Sequence, residues 1–229
     1  MKFSELMVAD VDVPEQQAPD SLKELAYHRL EERIVRLELA PGLVITEKGL
    51  ADSIGIGRTP VREAIQRLAM AGLLIVLPRR GIKVSEVDAC SVLRLLEVSR
   101  VLDIEVAKAA ATRSSLEQRL QFARLGKEFD LVSARNDAVS QVRLDSEFNN
   151  LCMAAMGNEH ASKMCRLIQP LTRRFWFAHH GGSGDISLAP RLHGQAARAL
   201  AEGNEDKAAA AFTRINDYLE SFVRSTLRK

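Results

Sequence analysis

The sequence has no apolar run long enough to cross a bilayer. The longest, around Gly72–Leu77, falls far short of the ~20 residues a spanning helix needs. The opening residues, MKFSELMVADVDV, hold no uninterrupted apolar stretch, so no secretory signal is expected. Cysteine is scarce. Cys90, Cys152 and Cys165 are odd in number and unclustered, and no CxxC occurs. No disulfide framework is expected; the cysteines read as small core residues of a soluble, cytoplasmic protein. Aromatic residues make up 5% of the chain, and Val and Ile cluster only over 73–84. With Leu, Ala, Arg and Glu abundant, that scarcity disfavours an extensive sheet and favours a mainly α protein.

What is present is unevenly charged. The 229 residues carry a net charge of +2, which says little until it is divided. Residues 1–20 hold one Lys and five acids, whereas residues 21–85 hold 11 Lys or Arg against 7 acids. A basic block of this kind points to an anionic partner, most often nucleic acid. The acidic segment 1–20 shows no hydrophobic period and reads as a flexible tail.

Within the basic block, Ser21 is placed to cap a helix running to about Leu37, with Leu22, Leu25, Ala26, Leu30 and Ile34 on one face. The turn APG at 40–42 follows, and Thr46 caps a short helix to about Ser53. After GIG at 55–57, Thr59 reads as the cap of a third helix and Pro60 as its first residue. Val61, Ile65, Leu68 and Ala69 form that helix's buried stripe; Arg58, Arg62 and Gln66 lie on another face. LLIVL and IKVSEV then read as two strands around PRRG at 78–81. The order helix, helix, turn, helix, hairpin is that of a winged helix-turn-helix. Its third helix enters the major groove, its arginines meet base edges and phosphates, and its hairpin tip forms the wing. The alternative is a solvated arginine face with internal acid pairs such as Glu63 with Arg67.

From Asp88 onward the pattern is helical: about 88–112, 115–134, 137–156, 158–178, 186–202 and 205–227. Six such helices with short connections make an antiparallel bundle. HHGGSGD at 179–185 is its glycine-rich break and reads as a mobile loop with exposed His179 and His180. The domains expected are thus a tail over 1–20, a DNA-binding unit over 21–85 and a helical unit over 88–229.

The run PGLVITEKGLADSIGIGRTPVREAIQRLAMAGLL, followed by PRRGIKV, closely resembles the winged-helix domain of GntR-family transcription regulators. The resemblance implies DNA contacts from Lys48, Arg58, Thr59, Arg62, Arg80 and Gly81. Family members often carry Ser or Thr where this chain has Gly57, so one phosphate contact is absent. The helical remainder resembles the FadR-like branch, through RLLEVSRVLDIEVAKAAA, LDSEFNNLCMAAMGN and RLHGQAARALAEGN. That branch senses small ligands, and many members hold a divalent metal, of the Zn, Ni or Mg class, on an Asp and three His. Asp145 matches the Asp, Asn149 replaces the first His, and His193 matches the next. Counting from Gly203 puts the fourth position at Ile215, which cannot bind metal; Asn216 beside it would point about 100° away. Either a weak metal site or a metal-free polar pocket follows. In both readings Asp145, Asn149 and His193 line an effector cavity. Arg100, one residue beyond the family's ligand-binding Arg position at Ser99, and Arg173 in LTRRFW are further candidates to meet an organic acid; otherwise they are surface cations. The resemblance implies a homodimeric regulator, most commonly a repressor, on a short inverted repeat, released by a small carboxylate. Two other readings stay open: a metal-dependent helical enzyme with a DNA-binding appendage, and a DNA binder that ignores ligands.

Overall fold

The apolar stripe after residue 21 folds as helix α1 (Leu22–Val35), burying Ala26, Tyr27, Leu30 and Ile34. A computed structural model describes residues 22–182 and 186–227. The tail over 1–20, the Ser21 cap and residues 183–185 of the glycine-rich loop lie outside the described residues. Helix α1 stops short of Leu37, because Leu37 adopts φ 59° and reverses the chain.

Strand β1 (Val44–Ile45) follows, then α2 (Glu47–Ile54), with Thr46 Oγ1 accepting from the Gly49 amide at 3.0 Å. Helix α3 spans Arg58–Met70 and is capped by Gly57, not by Thr59. Thr59 and Pro60 are instead its second and third residues. Pro60 fits there because the first-turn N–H groups have no intrahelical acceptor. Strands β2 (Leu74–Leu77) and β3 (Gly81–Val84) form the expected hairpin. A third strand joins it, since β1 pairs antiparallel with β3 and gives the order β1-β3-β2. Two residues carry too little periodicity for β1 to be read from sequence.

Two ion pairs tie α1 to α3, Lys23 with Glu63 at 2.6 Å and Arg67 with Glu24 at 2.6 Å. Glu63 and Arg67 therefore do not pair with each other, and Arg67 also lies 4.1 Å over the Tyr27 ring.

Six helices complete the chain: α4 (Ala89–Arg113), α5 (Leu116–Arg135), α6 (Ala138–Met156), α7 (Glu159–His179), α8 (Leu188–Glu202) and α9 (Glu205–Thr226). Asp88, Ser115, Asp137, Asn158 and Asn204 cap α4, α5, α6, α7 and α9 with side-chain acceptors. Phe122, Phe129 and Phe148 meet edge-to-face in the bundle core. After α7 the chain makes a 3₁₀ turn over His180–Gly182. His179 and His180 are half-buried there, stacked on Phe175 and Trp176, rather than exposed.

The bundle meets the winged unit along α7. Val35 of α1 joins the bundle cluster around Phe175 and Trp176, and Leu171 of α7 packs on the winged-unit core. Arg174, almost fully buried, donates to Ser85 Oγ at 3.0 Å and to the Ser85 carbonyl at 2.7 Å. It thereby clamps the end of the wing to α7.

Gly81 holds the wing together. Its φ is +105°, and a Cβ there would lie 2.9 Å from the Ile45 carbonyl oxygen on β1. Gly81→Ala is expected to destabilise the fold by about 1–3 kcal/mol through that contact and the strained backbone. Urea unfolding of the full chain checks this; an unchanged midpoint would mean that β1 is not held against the hairpin.

Candidate functional site

Two sites can be built from these elements. The first is the N-terminal end of α3. Gly57 offers no side chain to cap the first-turn amides of α3. Arg58, Thr59 and Arg62 are exposed around that end, and Lys48 is exposed on α2. Glu47, at the first position of α2, receives both Arg62 Nε and a terminal Arg62 nitrogen at 3.0 Å. Arg58 Nε lies 3.7 Å from the same carboxylate. The Arg62 bond, with both arginine charges, holds the Glu47 carboxyl below the usual range. Such an exposed pair is weak and exchanges readily for a phosphate or a base edge. Arg79 and Arg80 are exposed at the wing tip. Gly81, the first residue of β3 after that tip, leaves no room for a side chain against Ile45 of β1.

The second site is a cavity inside the bundle, about 740 Å³ including its open mouth. Its enclosed part is about 80 Å³, well below the usual range of small-molecule sites. Helix α6 contributes Gln141, Asp145 and Asn149, α8 His193, α7 Arg173, and α4 Ser99 and Asp103. Phe148, Trp176, Phe212 and Tyr218 supply aromatic walls.

Asp145 is the hub. Its Oδ1 lies 2.8 Å from His193 Nε2; its Oδ2 accepts from Asn149 Nδ2 at 3.1 Å and from Arg173 at 3.4 Å. His193 Nδ1 faces the Ala189 carbonyl at 2.8 Å. Both imidazole nitrogens thus face acceptors, as an imidazolium requires. Burial would lower the His193 pKa, but the bond and charge of Asp145 outweigh it and raise it above the ordinary value. Burial would likewise raise Asp145, and His193 and Arg173 instead hold it below the usual carboxylate range.

Arg173 reaches in two directions. One terminal nitrogen meets Asp145 in the cavity and the other donates to Glu31 of α1. Arg173 and Glu31 are 9% and 8% exposed, so the pair is desolvated. Arg173 is therefore no surface cation; it joins the cavity wall to the winged unit. Arg100 is outside the cavity. It pairs with Asp217 at 2.7 Å and Glu220 at 3.3 Å on α9, which removes it from the effector candidates. The family position beside it, Ser99, lines the cavity and donates to Asp103 Oδ2 at 2.8 Å.

The fourth metal position also differs from the sequence expectation. Ile215 and Asn216 both line the cavity, and Asn216 donates to Asp103 at 3.3 Å. The residues do not fit a divalent metal. The matched positions Asp145, His193 and Asn149 offer one carboxylate, one imidazole and one amide, and the Arg173 guanidinium already sits on that carboxylate. Among the described residues no three His, Cys, Asp or Glu side chains gather as a ligand set.

Sequence reasoning missed Glu31, Glu47, Asp103 and Gln141. Each takes its meaning from a partner on another helix; no spacing along the chain announces it.

Burial pushes the Asp103 carboxyl up to about 6, against the hydrogen bonds from Ser99 and Asn216. The charged form is thus disfavoured in the fold. Its cost is absent below the ordinary carboxylate pKa and complete above the folded value. Asp103→Asn should raise the unfolding free energy near neutral pH by about 1–3 kcal/mol, with the gain shrinking on acidification toward about pH 4. Denaturant titration at several pH values tests this; a variant no more stable than wild type at neutral pH would contradict it.

Comparison with known proteins agrees with this architecture. The pattern described as "Bacterial regulatory proteins, gntR family" matches residues 22–84, and the FCD domain matches residues 94–217. An HTH-type transcriptional regulator in an unstable DNA locus of Streptomyces ambofaciens is 40% identical over 91 residues, 40% of this chain and 35% of that protein. The HTH-type transcriptional repressor RspR of Escherichia coli is 28% identical over 125 residues, 55% of each chain. The match thus spans 35% and 55% of the lengths of these two relatives. The Nta operon transcriptional regulator of Aminobacter aminovorans is 26% identical over 179 residues, 77% of this chain and 82% of that protein. Among solved structures, E. coli McbR/YncC superposes with a TM-score of 0.77 at 16% identity, covering 90% of this chain and 99% of that one. A GntR transcriptional regulator from Rhodococcus sp. RHA1 gives 0.64 at 19% identity, covering 89% and 97%. At these identities the superpositions speak for the fold. With a GntR winged helix followed by an FCD domain that spans more than half of its length, the chain belongs to the GntR family of bacterial regulators, in its FCD-containing branch.

Proposed function

We propose that this protein is a DNA-binding transcription regulator, a repressor, whose operator affinity is set by a small molecule in the bundle cavity. The observation that carries the proposal is Arg173, which bonds Asp145 in the cavity and Glu31 in the DNA-binding unit. A ligand that draws Arg173 or Asp145 toward itself changes the bridge to α1, and α1 is ion-paired to α3. Differential binding to the two arrangements then shifts their populations.

On DNA, α3 enters the major groove of a short inverted repeat. Arg58, Thr59 and Arg62 face bases and phosphates at its N-terminal end, Lys48 and the Arg80–Gly81 tip flank them, and Glu47 orients Arg62 before contact. Two such helices in symmetric array require a homodimer. The protein acts in the cytoplasm and is not an enzyme. Among the described residues no helix is long and apolar enough to cross a membrane. The carboxylate effector expected from sequence would have to displace Asp145 or Glu31 from Arg173, the cavity arginine. No metal takes part.

Fluorescence anisotropy on the protein's own promoter region, across a salt series, tests the reading. Salt-dependent binding is expected, because phosphate contacts release counterions; its absence overturns the proposal. Arg62→Ala should weaken operator binding by roughly 1–3 kcal/mol. Unchanged affinity would remove Arg62 from the interface.

A further inference from the structure

Two acceptors in the cavity have no donor. Gln141 is 4% exposed, and its Oε1 is buried without a hydrogen-bond partner. Asp103, half-buried, accepts from Ser99 and Asn216 through Oδ2, and among the described residues no hydrogen bond reaches its Oδ1. Both residues line the same cavity. Buried without a donor, Gln141 Oε1 is costly, and a ligand that brings the missing donor recovers that cost.

The charges point the same way. Arg173 faces Glu31 and Asp145, and His193 faces Asp145, so the cations of this cluster are already matched by its acids. Asp103 feels the His193 charge but, among the described residues, has no cation in hydrogen-bond contact. A carboxylate left over in a poorly solvated site draws a positive charge. Trp176, Phe148 and Phe212 offer aromatic faces that also suit an ammonium better than an acid.

We propose that the effector carries an ammonium or a comparable N–H cation seated on Asp103 Oδ1, with Gln141 Oε1 taking a further donor of the same molecule. The ligand class is a small organic amine with an apolar frame, not a simple carboxylate. This rests on the reading of the cavity as the effector site.

Isothermal titration of the full chain with matched probes tests the assignment: benzylammonium against phenylacetate, and butylammonium against pentanoate. The ammonium member of each pair is expected to bind more tightly. Asp103→Asn should weaken benzylammonium binding roughly tenfold or more, the loss of one charged hydrogen bond. Gln141→Met, which keeps the volume and removes the acceptor, should weaken it severalfold and serves if the Asn variant does not fold. Tighter binding of the carboxylates, or ammonium affinity unmoved by both substitutions, overturns the amine assignment and leaves the effector cavity standing. If no probe of either charge binds, the cavity reading falls and the amine assignment with it.

Discussion

A buried guanidinium is costly unless its charge and its N–H groups are met. Arg173 meets that constraint with two carboxylates from different parts of the chain, Glu31 on α1 and Asp145 on α6. Removing water from three charges is expensive, so the geometry has to be maintained by packing on every side. Val35, Leu171 and the Arg174–Ser85 clamp supply that packing at the same joint. In the function we propose, the position of the winged unit against the bundle depends on the ionic state of the cavity wall. Asp145 carries the dependence inward, because His193 and Asn149 bond the same carboxylate.

The N-terminal end of α3, where we propose that DNA binds, obeys the opposite physics. Arg58 and Arg62 are solvent-exposed and held by Glu47 through contacts that water weakens. In the function we propose, such weak restraint arranges the arginines beforehand and releases them to a phosphate at little cost. The buried bridge fixes one state and the exposed pair permits exchange, and the two are connected through α1 and α3.

Much of this was legible in the sequence. Helical periodicity and capping residues located the winged unit and all six bundle helices to within a few residues, because buried stripes and side-chain caps are local properties. The arginines at the start of α3 were legible for the same reason. What escaped was whatever depended on two distant segments meeting. Thr59 looked like the cap, yet Gly57 holds that place. Glu63 and Arg67 looked like mutual partners, but both turn to α1. Arg100 looked available to a ligand and is held by α9. Asn216, read as pointing about 100° from Ile215, lines the cavity beside it and faces Asp103. Asp103 and Gln141 gave no signal at all, since an unmet acceptor is defined by what does not approach it in space.

The central claim is that Glu31 and Asp145, which lie in different units, act through the one guanidinium they share. A double-mutant cycle on unfolding free energy tests it directly, using Glu31→Gln, Asp145→Asn and the pair. Each single substitution leaves Arg173 one acid; the double leaves a buried cation with neither. The account predicts that the double variant loses at least about 1 kcal/mol more than the two single losses combined. Additivity to within about 0.5 kcal/mol would show that the two acids do not depend on a common partner and would contradict it.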